Sequence, residues 1–179
     1  MSSYSIIFVF LGSVMFVNSA FSDANPSYLN DTLTLPSVDS AEKPGAYQEV
    51  ILQHIQEDEW QLLAGIVAGE IQEIERVEVI QVDSFPVQIF LKAIGTFSSG
   101  CPEVGLVSYQ LLENKFEVFV YYLNNAHRSN PSEVACTSAL VPFSKIIPIP
   151  VYSLKAGEYE YSVNGGYAGT FSLSVDNEL

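Results

Sequence analysis

The side chains able to do chemistry are few and scattered. His54 and His127 are the only histidines, and Cys101 and Cys136 the only cysteines, in 179 residues. No HExxH, CxxC or close His/Cys cluster brings them to metal-ligand spacing, so the sequence predicts no conventional metal site and no cofactor. A serine nucleophile of the hydrolase type needs a GxSxG elbow, which is absent. Ser40-Ala41-Glu42-Lys43 has the form S-x-x-K, but it runs straight into the Pro44-Gly45 turn and lacks its companion motifs. Paired carboxylates could hydrolyse a glycoside, and loop carboxylates such as Asp31, Asp39 or Asp83 leave an irregular calcium site open. With 21 Asp and Glu, however, closeness along the chain singles out no pair. The expectation is a protein that is not an enzyme, with no catalytic residue to name.

Charge narrows the partners. Seven Lys and Arg against 21 Asp and Glu give a formal net charge of -14. Phosphate binding needs a basic face, so nucleic acid is excluded, and an anionic membrane surface is disfavoured for the same reason. Residues 1–20 read as a signal peptide. Ile6 to Val17 is an apolar run of twelve residues, too short to span a bilayer comfortably, and it ends in the small-residue stretch Asn18-Ser19-Ala20. The leading Met1 to Ser5 carries no Lys or Arg, which keeps an uncleaved N-terminal anchor as the alternative. Two cysteines in an exported chain favour a Cys101–Cys136 disulfide over a metal site, and the localisation expected is secreted or periplasmic.

The elements that would position these groups are strands. Residues 21–31 are polar, contain Pro26 and read as a mobile arm; Asn30-Asp31-Thr32 has the N-glycosylation pattern. Residues 32–69 are expected to form an N-terminal β meander. Thr32 to Leu35 alternates before Pro36, and Tyr47 to Gly65 reads either as a helix or, preferred here, as two strands around the acidic tip Glu57-Asp58-Glu59. Gly65 and Gly69 mark a connector. From residue 70 to 179 the period is two: Val77 to Asp83, Val87 to Ile94, then Val104 to Leu112 and Phe116 to Tyr122 about the turn Glu113-Asn114. A polar loop follows, and its candidate binding residues are Tyr122, Asn124, Asn125, His127, Arg128 and Asn130. Ile147, Ile149 and Val151 alternate with Pro148 and Pro150, which confines that run to a sheet edge or to a strand that pairs only in part. Tyr159, Tyr161 and Val163, then Phe171, Leu173 and Val175, close the chain as a hairpin about Asn164-Gly165-Gly166.

Two stretches carry a family resemblance. Leu33 to Asp39, Tyr47 to Leu52 and Trp60 to Leu63 are similar to a short β meander of exported bacterial proteins. Val141-Pro142-Phe143, Ile147-Pro148-Ile149, Leu154-Lys155-Ala156-Gly157-Glu158-Tyr159, Val163-Asn164-Gly165 and Phe171-Ser172-Leu173 resemble the closing strands of bacterial immunoglobulin-like β-sandwich modules. The resemblance covers about residues 74–177 and implies an all-β, immunoglobulin-like antiparallel sandwich behind the meander. It departs from antibody domains, because the single Trp60 precedes both cysteines. The function expected is a secreted, non-enzymatic binding or adhesion module for an unidentified protein or glycan. The alternatives are a structural component that self-associates by strand addition at its Pro-bearing edge or N-terminal arm, and a protease inhibitor presenting the loop near Ala135-Cys136-Thr137.

Overall fold

In the computed structural model, residues 25–124 and 135–179 are described. The expected signal peptide, the start of the arm, and Asn125, His127, Arg128 and Asn130 of the candidate loop lie outside them. The described chain is all β, with twelve strands and no helix.

Eight strands build a sandwich. One sheet has three strands, β6 (Ile74–Val82), β7 (Gln88–Phe97) and β10 (Val141–Ile149), with β7 central. The facing sheet runs β12 (Tyr167–Leu173), β11 (Gly157–Val163), β9 (Lys115–Asn124), with β5 (Gly69–Glu70) and β8 (Pro102–Leu112) both pairing to β9. Period-two alternation decides which side chains meet between them. Ile89, Leu91 and Ala93 of β7, and Ile147 and Ile149 of β10, face Phe116, Val118 and Val120 of β9, Tyr161 and Val163 of β11, and Phe171 and Leu173 of β12. Each Val, Leu, Ile or Phe of this set, fully buried, is worth about 1.5–3 kcal/mol of transfer free energy. Phe116, Tyr159 and Phe171 pack as a ring cluster with centroids 5.6–6.4 Å apart. The wider sheet overhangs the narrower one, so Tyr109 and Leu111 of β8 stay exposed although they lie opposite the buried Val118 and Phe116 of β9.

Most ladders are antiparallel, as expected. The pairing of β9 with β11 is parallel, Phe116 opposite Tyr161 and Val118 opposite Val163. A parallel pair needs a crossover, and here the chain makes it through β10 in the opposite sheet. β10 is an edge strand paired only with β7, and Pro142 and Pro148 sit opposite Thr96 and Phe90. A proline fits a ladder where its missing N–H would have faced outward, so the open side of β10 is poor in donors. The final strand stops at Leu173, and Val175, expected to extend it, is exposed.

The remaining strands form a separate sheet in the order β1 (Ser27–Leu29), β2 (Thr32–Val38), β3 (Tyr47–Gln56), β4 (Glu59–Val67). Tyr47 to Gly65 is therefore two strands, and the helical alternative falls away. Within the stretch expected as a mobile arm, Ser27 to Leu29 pairs with Thr32 to Thr34, because Asn30 and Asp31 both take positive φ and close a two-residue turn. β2 continues through Pro36 to Val38, since β1 ends before Pro36 and leaves that side of β2 open. Val67 ends this sheet and Gly69 begins the sandwich strand β5, so the chain changes sheets within Ala68.

Candidate interaction surface

The N-terminal sheet is fastened to the sandwich by a small set of contacts around the turn that follows β2. Asp39 Oδ1 accepts the Gly45 N–H at 2.7 Å, and Ser40 Oγ accepts the Lys43 N–H at 2.9 Å. This holds Gly45 at a φ of 72°, where a Cβ would collide with Ser108 of β8 and lie 3.4 Å from the Tyr121 ring. Tyr121 of β9, 1% exposed, donates its hydroxyl to the Pro44 carbonyl at 2.7 Å. Burial pushes its pKa up to about 12, aided by the carboxylates of Glu70 and Asp39. Lys43 pairs with Glu70 of β5, whose hydrogen bond and charge raise the lysine pKa. The Ala68 N–H donates to the Ala46 carbonyl at 3.0 Å.

Held in this way, the sheet buries Gln48 and Val50 of β3, whereas its outer strand β4 stays open among the described residues. Leu62 is 63% and Val67 75% exposed, and Ile55, Trp60 and Leu63 are exposed with them. Sheets ordinarily bury one face against another element, so apolar side chains left on an uncovered sheet mark a contact surface. The outer edge of β4 is unpaired among the described residues, and from Trp60 to Val67 it contains neither proline nor charge. A β-bulge at Leu63, which has no cross-strand partner between Leu62 opposite Leu52 and Ala64 opposite Ile51, interrupts its register.

At the tip of this sheet the Tyr28 ring of β1 meets the Trp60 ring of β4. Trp60 packs against His54 with ring centroids 4.9 Å apart, and Tyr28 meets it edge-on at 6.2 Å. His54 Nε2 donates to the Glu57 carbonyl at 2.5 Å, which fixes the ring and places the proton on that nitrogen. The Tyr28 hydroxyl donates to Asp31 Oδ1 at 3.0 Å, and that bond raises the Tyr28 pKa. Glu57 at positive φ and Asp58 turn β3 into β4. An aromatic cluster thus stands beside three consecutive carboxylates, Glu57, Asp58 and Glu59.

A second apolar feature is a groove of about 320 Å³ at one end of the three-stranded sheet, lined by Pro86, Phe90, Pro148, Pro150 and Tyr152. Among the described residues, no three His, Cys, Asp or Glu converge as metal ligands.

The residues singled out from sequence are placed as follows. Cys101 and Cys136 are joined, with Cα atoms 5.1 Å apart, and the Gly100 N–H donates to the Thr137 carbonyl beside them. Tyr122 is half-buried, packs against the sandwich core and lies where a Cβ on Gly69 would be 2.8 Å from its ring. It is a wall of the core rather than part of a loop surface. Asn124 ends β9 opposite Pro102. The structure does not bring these residues to the aromatic cluster. Sequence reasoning passed over Trp60 to Val67 as a surface; the available signal was a run apolar at both parities and free of charge.

Residues 91–173 match the model of a family described as the ORF11 beta-sandwich domain, from within β7 to the end of β12. This part of the chain is similar to that domain, in keeping with the sandwich. The four-stranded sheet lies outside the match. No curated protein and no solved structure matches the chain.

Proposed function

We propose that this protein is a secreted, non-enzymatic binding module in which the sandwich is the rigid support and the β1–β4 sheet the contact surface for a protein or glycan. The observation that carries the reading is the apolar, exposed outer strand β4 of a sheet fixed to the sandwich by Tyr121, Gly45 and the Lys43–Glu70 pair. Rigid presentation lowers the ordering cost of association. The Cys101–Cys136 disulfide and the reading of residues 1–20 as a signal peptide support secretion.

The test compares the mature chain with a Leu62→Asp/Leu63→Asp variant on protein and glycan arrays. Both side chains are exposed, so the variant is expected to fold and to lose the contacts of the parent. Contacts retained in full by the folded variant would place binding elsewhere on the molecule.

The unpaired β4 edge favours a second reading, assembly by strand addition. It differs from the expected route, since the Pro-bearing edge is β10, where prolines remove outward donors, and Ser27 to Leu29 of the arm is already paired with β2.

A further inference from the structure

The composition of the N-terminal sheet points to what would cover it. Residues 25–67 contain seven carboxylates and one basic side chain, Lys43, which Glu70 of β5 engages. Against this charge, the strand Trp60 to Val67 is neutral and apolar, bounded at one end by Glu57, Asp58 and Glu59. A second copy of the chain would bring another -14 to the same surface, and at low ionic strength that repulsion opposes association. A partner of opposite charge gains instead, both from the tip carboxylates and from the exposed Trp60 ring, whose face attracts ammonium and guanidinium groups.

We infer that the outer edge of β4, with the Trp60 cluster at its tip, receives an extended, lysine- or arginine-bearing segment of another protein. The open strand edge supplies backbone hydrogen bonds, Leu62, Leu63 and Val67 supply apolar contact, and Trp60 with Glu57 to Glu59 selects the basic residues. This rests on the β1–β4 sheet being the contact surface and adds the chemistry of the partner.

Trp60 is the only tryptophan in the chain, so its emission reports directly on this site. The mature protein is titrated with a decapeptide of alternating lysine and valine, and with its glutamate–valine counterpart as control. The expected result is a blue shift of Trp60 emission with the lysine peptide alone, with binding that weakens as NaCl rises from about 50 to about 500 mM. The Glu57→Gln/Asp58→Asn/Glu59→Gln variant should bind about tenfold more weakly, whereas Glu158→Gln/Glu160→Gln/Glu178→Gln, which removes the same charge elsewhere, should change the affinity less than about threefold. Equal weakening by the two triple variants would reduce the effect to net charge and overturn the inference. So would an unmoved Trp60 spectrum, or a dimer in sedimentation equilibrium that Leu63→Lys dissociates, which makes the occupant a second copy. Should the tip variant unfold, the salt dependence and the blue shift of the parent chain still decide. If the lysine peptide fails while array contacts are lost in Leu62→Asp/Leu63→Asp, the partner class is wrong and the contact surface stands; if those contacts also persist, both fall.

Discussion

Two asparagines, Asn164 half-buried and Asn177 buried, act as detached peptide groups. Asn164, at the positive φ that ends β11, accepts the Val120 N–H at 2.7 Å and donates to the Ile71 carbonyl at 2.8 Å and the Val120 carbonyl at 3.0 Å. It fills the gap along β9 where β11 departs and β5 takes over, so the ladder of β9 continues without a strand opposite it. Asn177 does the same near the C-terminus, bonding the Val87 N–H and carbonyl and the Val151 carbonyl at 2.6–3.0 Å. Gln48 of β3 is equally buried, yet its amide meets no hydrogen-bonding partner among the described residues. The three therefore respond differently to loss of polarity. Asn164→Ala should cost about 2–4 kcal/mol in urea unfolding, since it strands buried backbone groups and replaces an asparagine, whose side chain tolerates positive φ, with an alanine, which does not. Gln48→Met, of similar volume, should be neutral or stabilising by up to about 2 kcal/mol in the same measurement. From sequence, Asn164 was legible only as a turn residue beside Gly165; its second role needs the neighbouring strand, which no local pattern encodes.

The strands themselves were legible where alternation met a two-sided environment. Phe116 to Val120 buries alternate residues as its sequence suggests, Tyr159, Tyr161 and Val163 are buried with Ser162 joining them, and Pro148 marks β10 as an edge. Pairing was less legible, because period two fixes which side chains share a face and says nothing of which strand lies beside which. The parallel β9–β11 ladder and the attachment of β5 follow from that. Another case is Gly95 of β7, which stands opposite Ile74 next to a bulge; a Cβ there would collide with the Glu73 carbonyl and lie 2.6 Å from the Phe143 ring. Phe143 in turn stacks on Phe97 at 4.5 Å, so it has little room to retreat. Gly95→Ala is expected to destabilise by about 2–3 kcal/mol, read as a lower denaturant midpoint with an unchanged slope. Gly165, whose added Cβ meets nothing, is the matched control for a glycine whose demand is conformational alone.

At the scale of the whole molecule the question is how tightly the β1–β4 sheet is coupled to the sandwich. The core cluster draws every member from Ile71 onward, so the sandwich does not need the sheet to fill its interior. The joint rests instead on Tyr121, whose ionisation supplies a handle. With the folded pKa near 12 and the unfolded value near 10, the unfolded chain releases the phenol proton first. Stability from this group is present in full below about pH 10 and is lost as pH rises toward 12, by about 2–3 kcal/mol. Tyr121→Phe should remove that slope, so the gap between parent and variant in denaturant unfolding should shrink between pH 9 and pH 11.5. Two further measurements separate a coupled sheet from an appended one. A chain beginning at Ala68 should retain cooperative unfolding, with Tyr121 newly exposed. In the full chain, native-state hydrogen exchange should give amides of β3 and β4 a lower opening free energy than those of β7 and β9, because few contacts hold the sheet against many within the sandwich. Equal protection across both sheets, or failure of the shortened chain to fold, would mean that the contacts at Pro44, Gly45 and Glu70 bind the two into one cooperative unit. In that case a ligand covering Trp60 would stabilise the sandwich as well as the sheet, by the full mass-action term.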